Sequence, residues 1–166
     1  MRRGLAAAVF VGAVVGAVVT AAACTGSGLS TEPTLTEQQA NEQADQRIAD
    51  AARQLSPQPE LVRKPNQDVA CTGLSSQGPA KLTVGRVYEL HGLQVDRGAE
   101  YADTLRRYWT SQGYREMEGS ATYPLVRAEH PRDGFKLSFS IRNGVAELTA
   151  VLSCIWPYGT PPPTTR

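Results

Sequence analysis

The chain of 166 residues has few of the residue types that carry chemistry: three cysteines, two histidines and two tryptophans. It contains no Cys-x-x-Cys, no His-x-x-x-His and no dense Asp/Asn loop, so the usual ligand spacings of zinc and calcium sites are missing. No glycine-rich loop follows a predicted strand, which argues against a phosphate-binding loop. The sequence therefore predicts no metal and no cofactor.

Acidic residues are also missing from the start of the chain, where the first is Glu32. Arg2 and Arg3 precede an apolar stretch, residues 4–20, and three alanines follow at 21–23. A basic start, an apolar middle and a small-residue end are typical of a signal peptide. Without its two arginines the chain has 15 basic and 16 acidic residues, a formal charge of −1. That balance gives no reason to expect a nucleic-acid partner.

Cys24 directly follows the alanines 21–23, and this tetrapeptide resembles the bacterial lipobox, whose cysteine is acylated after the chain is cut before it. The first alanine stands where Leu or Val is usual, and ordinary signal peptidase also cuts after Ala-x-Ala. A retained transmembrane anchor is another reading, since residues 4–23 are about long enough to span a bilayer. The cysteine count favours the lipid, because acylation of Cys24 leaves Cys71 and Cys154 to pair in an oxidising compartment.

These observations predict a protein anchored by lipid to the extracytoplasmic face of the cell membrane, with the bilayer as its partner through Cys24. Two or three acyl chains anchor a protein stably where one is marginal. The predicted parts are a signal peptide (1–23), the lipidated cysteine with a flexible tether (24–33), one domain (34–158) and a Pro-rich tail (159–166).

Two helices are predicted. Thr34 and Glu37 have capping-box spacing, and a narrow, Ala-rich stripe follows in residues 34–56, so we expect this helix to rest lightly on the domain or extend from it. Asp96 is expected to cap the second helix, which Gly113 ends. The predicted inward face of that helix is Tyr101, Ala102, Leu105, Tyr108 and Trp109.

Strands are predicted at 82–90, with Gly85 as a possible bulge, at 114–118 and 125–129, and in a hairpin around Asn143-Gly144. Apolar residues alternate on both hairpin arms, and Ile141 faces Ala146 in a two-residue hairpin. The sequence thus predicts an α+β fold of two layers, an antiparallel sheet with helices packed on one face. Cys154 is expected on the apolar face, bonded to Cys71, while residues 61–79 are expected to be irregular.

Catalytic groups are sparse. His91 and His130 lie at the ends of predicted elements, and we expect no pocket in which either reaches both a carboxylate and a nucleophile. Glu116 and Glu118 share a strand face, but any Glu-x-Glu on a strand does so. The sequence predicts no catalytic residues and no enzyme.

Aromatic residues offer a binding surface instead. Most of those in the second helix are expected in the core, whereas Trp156 and Tyr158 follow the last strand and Tyr123 lies in a connection. Exposed, these three are the candidate partner-binding residues, for an unidentified envelope protein or a glycan.

The segments "RYWTSQGY", "DGFKLSF" and "SCIWPYGTP", together with the lipobox, resemble small actinobacterial cell-surface lipoproteins with a single disulfide-stapled domain. The resemblance implies a location and a fold but no activity. The leading hypothesis is a non-enzymatic surface lipoprotein that binds an envelope partner or cell-wall polymer. The alternatives are a regulatory lipoprotein that modulates a membrane signalling protein and, third, a small secreted hydrolase.

Overall fold

The computed structural model describes residues 32–71, 81–118 and 125–161, and these ranges form one antiparallel sheet with two helices packed on it. The helices are α1 (Glu37–Ala52) and α2 (Gly98–Ser111). The strands are β1 (Glu60–Arg63), β2 (Val69–Ala70), β3 (Leu82–His91), β4 (Arg115–Glu116), β5 (Leu125–Glu129), β6 (Lys136–Arg142) and β7 (Val145–Ile155). The strand order is β1-β3-β7-β6-β5-β4, with β2 also paired to β3. The predicted α+β fold is confirmed.

The β6–β7 hairpin forms the centre of the sheet and has the predicted register. Ile141 pairs with Ala146, and Phe139 pairs with Leu148. These four side chains are buried on the face that the helices cover. Asn143 and Gly144 both have positive φ, as the two-residue turn requires.

Helix α1 packs into the core, so the prediction that it rests lightly on the domain is wrong. Its stripe, Ala40, Ala44, Ile48 and Ala51, is at most 1% exposed. Small side chains let the helix backbone approach β3 and β7 closely. The helix is therefore buried by this close approach and not by large apolar side chains. The capping box lies two residues later than predicted.

The residues of that capping box are Thr36 and Gln39. The Thr36 hydroxyl accepts a hydrogen bond from the Gln39 amide (3.2 Å), and the Gln39 side chain accepts one from the Thr36 amide (3.0 Å). The helix therefore begins at Glu37, and both ends of the reciprocal cap are satisfied.

Helix α2 buries Tyr101, Leu105 and Trp109 on the sheet, as predicted, while Tyr108 is only half-buried. Gly113 follows the helix with φ +86°, the left-handed conformation predicted for it. Asp96 does not cap the helix, because it lies in a 3-10 turn, Val95–Arg97, that leads directly into α2.

One edge of the sheet falls in residues that the sequence predicts as irregular. Strands β1 and β2 both pair with β3, and the chain between them stays close to β3 through bonds from the amides of Lys64 and Gln67. Gly85 is not a bulge. A Cβ there would lie 2.9 Å from the Gln67 carbonyl oxygen, so the glycine allows this close backbone approach.

The bulge lies instead at Ser153 and Cys154, which together oppose Thr83 of β3. Cys154 has φ +58° and leaves the alternation of core residues, so the prediction that it lies on the apolar face is wrong. Cys154 is bonded to Cys71. The Cys71 sulfur lies 3.4 Å from the hydroxyl of Thr83, whose side chain is on the face of β3 opposite to that of the core residue Val84.

The face of the sheet away from the helices, called here the open face, is polar. Ser138 and Ser140 of β6 lie there opposite Thr149 and Glu147 of β7. Lys64 reaches across from the edge of the sheet to Glu147 (3.0 Å) and to Glu89 (3.1 Å). Of the two helices in the described ranges, neither is long and apolar enough to cross a membrane.

The first and last described segments are bonded to each other, in an arrangement called here the terminal clasp. The Thr34 amide donates to the Gly159 carbonyl (2.8 Å), and the Glu37 amide donates to the Pro157 carbonyl (3.0 Å). The Trp156 amide donates to the Thr34 hydroxyl (2.8 Å). The start of α1 is therefore joined directly to the chain that leaves β7.

Candidate functional site

A cleft of about 430 Å³ lies between α1, α2 and the turn that joins β5 to β6. Its volume falls within the roughly 300–1,000 Å³ typical of small-molecule sites. Its lining combines amides, carboxylates, guanidinium groups and aromatic rings: Gln43, Gln46, Arg47, Asp50, Tyr108, Trp109, Gln112, Tyr114, His130, Arg132, Asp133 and Leu137. We call this site the cleft.

The α1 side of the cleft follows from the alanine stripe. Because Ala44, Ile48 and Ala51 face the sheet, the residues just before them, Arg47 and Asp50, lie on the flank of the helix that faces α2. Helical periodicity thus places a cation and a carboxylate on the same wall.

The α2 side places Trp109 against the floor of the cleft. Trp109 is 1% exposed, and its indole nitrogen is buried with no hydrogen-bond partner. Tyr108, the neighbouring residue, is half-buried at the same wall. Burial raises the pKa of Tyr108, and the charge of Asp50 raises it further, so its phenol keeps its proton at neutral pH.

The third wall is the tight turn from His130 to Phe135. The His130 amide donates to the Phe135 carbonyl (2.8 Å), and the Gly134 amide donates to the His130 carbonyl (2.8 Å). Gly134 has φ +73°, and the Asp133 carboxylate accepts the Phe135 amide (3.1 Å). These bonds fix His130, which is 8% exposed, at the edge of the cleft.

Arg47 joins α1 to this turn. Its guanidinium group donates to Asp133 (2.7 Å) and to the hydroxyl of Tyr114. The guanidinium carbon also lies 4.1 Å from the centroid of the Phe135 ring, a cation–π contact. One side chain therefore satisfies a carboxylate, a phenol and an aromatic face.

His130 lies between Asp133, Tyr114 and Gly113. Its Nδ1 is 3.0 Å from the Asp133 carboxylate, yet the atoms are not aligned for a hydrogen bond, so the nitrogen is buried without one. Asp133 also accepts from Arg47 and from a backbone amide. The rings of His130 and Tyr114 meet edge to face, 5.0 Å between centroids.

The electrostatics keep both acidic groups in their ordinary forms at neutral pH. Burial raises the pKa of Asp133, but hydrogen bonds from Arg47 and the Phe135 amide, with the charges of Arg47 and His130, outweigh it and leave that pKa below its usual value. Burial raises the pKa of Tyr114, against the opposing effect of Arg47. Asp133 is thus an anion and Tyr114 a neutral phenol.

The arrangement equips the cleft to bind polar groups. Its lining contains no serine, threonine or cysteine that a base could activate. The sequence predicts no histidine within reach of both a carboxylate and a nucleophile. In the structure His130 lies beside the carboxylate of Asp133, and no serine, threonine or cysteine lines the cleft. His130 is more enclosed than a turn position indicates, and the absence of catalysis stays a prediction.

The cysteine prediction is confirmed where the structure describes it. Cys71 and Cys154 are disulfide-bonded with their Cα atoms 5.7 Å apart. Cys24, the predicted lipidation site, and Tyr123, one candidate binding residue, lie outside the described residues.

The other two candidate binding residues lie at the terminal clasp rather than in the cleft. Tyr158 is 83% exposed. Trp156 is half-buried, with the Lys81 ammonium nitrogen 4.8 Å from its ring centroid. Since Tyr101, Trp109 and Tyr114 are buried, the aromatic residues of the described ranges do not form one exposed surface.

Sequence reasoning missed Arg47, Asp133 and the three glutamines of the cleft. One signal was present: "HPRDG" is a turn sequence that carries a histidine and a carboxylate three residues apart. Their meeting with α1 depends on the packing of the helix, which the sequence pattern does not specify.

No group of three or more His, Cys, Asp or Glu side chains in residues 32–71, 81–118 and 125–161 is arranged to hold a metal ion. No family model matches the chain, and no curated protein or solved structure matches it either. The resemblance to actinobacterial lipoproteins stays a prediction.

Proposed function

We propose that the protein is a lipid-anchored, non-enzymatic binding module on the extracytoplasmic face of the membrane, and that its cleft holds a segment of cell-wall polymer. The sequence around Cys24 supports the anchor. The bond between Cys71 and Cys154 supports the location, because disulfides persist in oxidising compartments.

The observation that carries the binding function is a pair of unpartnered polar atoms at the cleft. The indole nitrogen of Trp109 and the Nδ1 of His130 are both buried without a hydrogen bond. An unsatisfied buried polar group costs about 1–3 kcal/mol, and such groups call for an explanation where they occur. Because both atoms are buried, hydroxyl groups of a ligand in the cleft would give them partners after a small rotation of the two side chains.

The shape of the site favours a polymer segment over a protein partner. A protein partner needs a broad exposed surface, and of the aromatic residues the structure describes, only Tyr158 is largely exposed. The cleft is an open depression that mixes aromatic rings with amides and charged groups. A concave site with a few convergent polar groups is the usual form of a ligand site.

Replacing the cysteine of the lipobox tests the anchor. A full-length Cys24→Ser protein should leave the membrane fraction or accumulate as an uncut precursor. Fractionation of cells followed by mass determination of the product measures both outcomes. Normal processing with unchanged membrane association would contradict the anchor.

A second experiment tests the cleft with the two tryptophans of the chain. The released Cys24→Ser protein should co-sediment with isolated cell walls. Trp109→Phe keeps most of the ring volume but removes the unpartnered N–H in the cleft, so it should weaken sedimentation. Trp156→Phe is the matched control, because its indole nitrogen is also buried and unpartnered but lies at the terminal clasp.

Equal effects of the two tryptophan substitutions would contradict the assignment of the cleft. Walls treated with protease make the second comparison. If protease treatment abolishes sedimentation, the partner is an envelope protein and the polymer proposal is wrong.

A further inference from the structure

We infer that the cleft is built for a neutral, polyhydroxylated ligand, a short glycan segment without net charge. This inference rests on the proposed function and narrows it to one chemical class. Charge, hydrogen-bonding groups and ring surfaces at the cleft each contribute to the argument.

The formal charges of the arginines and aspartates that line the cleft are equal in number, Arg47 and Arg132 against Asp50 and Asp133, with His130 beside them. Arg47 pairs with Asp133, whereas Asp50 pairs with Arg53 next to the cleft. Arg47 is also saturated, since it donates to Asp133 and Tyr114 and lies against Phe135. An anionic ligand would have only the exposed Arg132 to pair with, since Arg47 is committed to Asp133 and Tyr114, and burying an unpaired charge is costly.

The polar groups suit hydroxyls. Three glutamine amides line the cleft, and each offers a donor and an acceptor in one plane. Gln43 is half-buried in the wall, while Asp50 accepts a hydrogen bond from Gln46 (2.9 Å) and retains acceptor capacity. The neutral phenol of Tyr108 adds a group that both donates and accepts, and the phenol of Tyr114, which accepts from Arg47, keeps its own proton to donate.

The aromatic rings supply the apolar part of the site. Tyr108 is half-buried and presents its ring to the cleft, whereas Trp109, also in the lining, is 1% exposed and packs beneath the surface. A sugar ring has C–H faces that pack on aromatic rings and edges that carry hydroxyls. A ligand with both features matches one accessible aromatic ring, that of Tyr108, bordered by amides.

Intrinsic fluorescence tests this inference, because the chain has only two tryptophans. In the full-length Cys24→Ser protein, Trp156→Phe leaves Trp109 as the sole tryptophan and therefore as a reporter in the wall of the cleft. Chitotriose and cellotriose serve as neutral probes, and oligogalacturonate serves as the acidic probe. We expect a saturable change with a neutral probe, and an affinity that stays constant as salt shortens the Debye length from about 30 to about 3 Å.

Two substitutions on α1 assign the contact. Gln43→Leu should weaken binding of the neutral probe about fivefold, the loss of about one hydrogen bond. Gln38→Leu, at an exposed position of the same helix, should leave the affinity unchanged. Calorimetry on the same proteins measures both affinities without relying on fluorescence.

The outcomes separate this inference from the function beneath it. Binding of oligogalacturonate alone, or an affinity that falls steeply with salt, overturns the neutral ligand. Failure of both neutral probes while wall sedimentation still depends on Trp109 also overturns it and leaves the proposed function standing. Failure of the probes together with sedimentation overturns both.

Discussion

The two faces of the sheet carry charged groups in very different settings. On the helix-covered face Arg86 is 1% exposed and pairs with Asp68 (3.2 Å), whereas the pair of Arg47 and Asp133 at the cleft is partly exposed. On the open face Lys64 pairs with Glu89 and Glu147, and these groups remain accessible to water.

This difference determines which ion pairs contribute to the free energy of unfolding. Water screens the pairs of the open face, so their contribution to the free energy of unfolding is small. A buried charge depends on its partner, because removing one member leaves the other without solvent or counter-charge. Ion pairs of the same residue types therefore keep the open face hydrated, whereas on the helix-covered face they keep a buried charge compensated.

The largest effect should come from a covalent bond rather than from any charge. Replacing both cysteines by serine (Cys71→Ser with Cys154→Ser) frees a closed loop whose ends are 83 residues apart. The chain-entropy model gives about 4–5 kcal/mol for a loop of this length. Denaturant unfolding under oxidising conditions measures the loss, and a change below about 1 kcal/mol would show that the bond adds little to the sheet edge.

The second effect tests the buried pair. Asp68→Ala should cost about 3 kcal/mol, the lower end for breaking a buried ion pair, because Asp45 remains 3.9 Å from Arg86. The double variant Asp68→Ala with Arg86→Met should recover much of this loss, since no buried charge is left. If the single and double variants unfold at the same denaturant concentration, the uncompensated charge is not the cause.

The third effect appears in the dependence on pH. The pKa of Asp133 is below its usual value of 3.8 in the folded protein, so its ionised form stabilises the fold above that pH and the stability is lost as the pH falls through the folded pKa. Asp133→Asn should therefore be less stable than the parent at neutral pH, with a difference that shrinks below about pH 4. Thermal unfolding from neutral to acid pH measures it, and a constant difference would contradict the linkage.

The smallest effect is expected on the open face. Hydrogen bonds that Lys64 donates to Glu147 and Glu89 raise its pKa, yet the ammonium group is exposed. Lys64→Gln should leave the unfolding midpoint nearly unchanged at physiological salt. A large loss of stability that high salt does not reduce would show that Lys64 is needed for the fold. The contrast between the two faces would then be wrong.

The parts of the fold that local sequence could predict are those in which one pattern fixes the geometry. Alternation and Asn143-Gly144 fixed the register of β6 and β7, and Gly113 marked the end of α2. The edge strands escaped because β1 has four residues and β2 has two, with Pro65 between them. Their pairing comes from β3 rather than from their own pattern.

The cleft could be predicted even less. Its walls come from α1, α2 and one turn, and they meet only because Ala40 and Ala44 let α1 sink onto the sheet. In the sequence these alanines form only a weakly hydrophobic stripe, because hydrophobicity increases with side-chain size. The contact of α1 with the sheet depends instead on small side chains that allow close approach. His130 and Arg47 are far apart in sequence, and no spacing joins them.

The terminal clasp has a mechanical consequence. A pull on the chain before Thr34 first loads the hydrogen bonds to Pro157 and Gly159, and through them β7, the strand beside β3 and β6. Gly159 allows this contact, because a Cβ there would lie 3.2 Å from the Thr34 carbonyl oxygen. Tension applied to this end would therefore be carried into the middle of the sheet instead of peeling α1 away from its first turn.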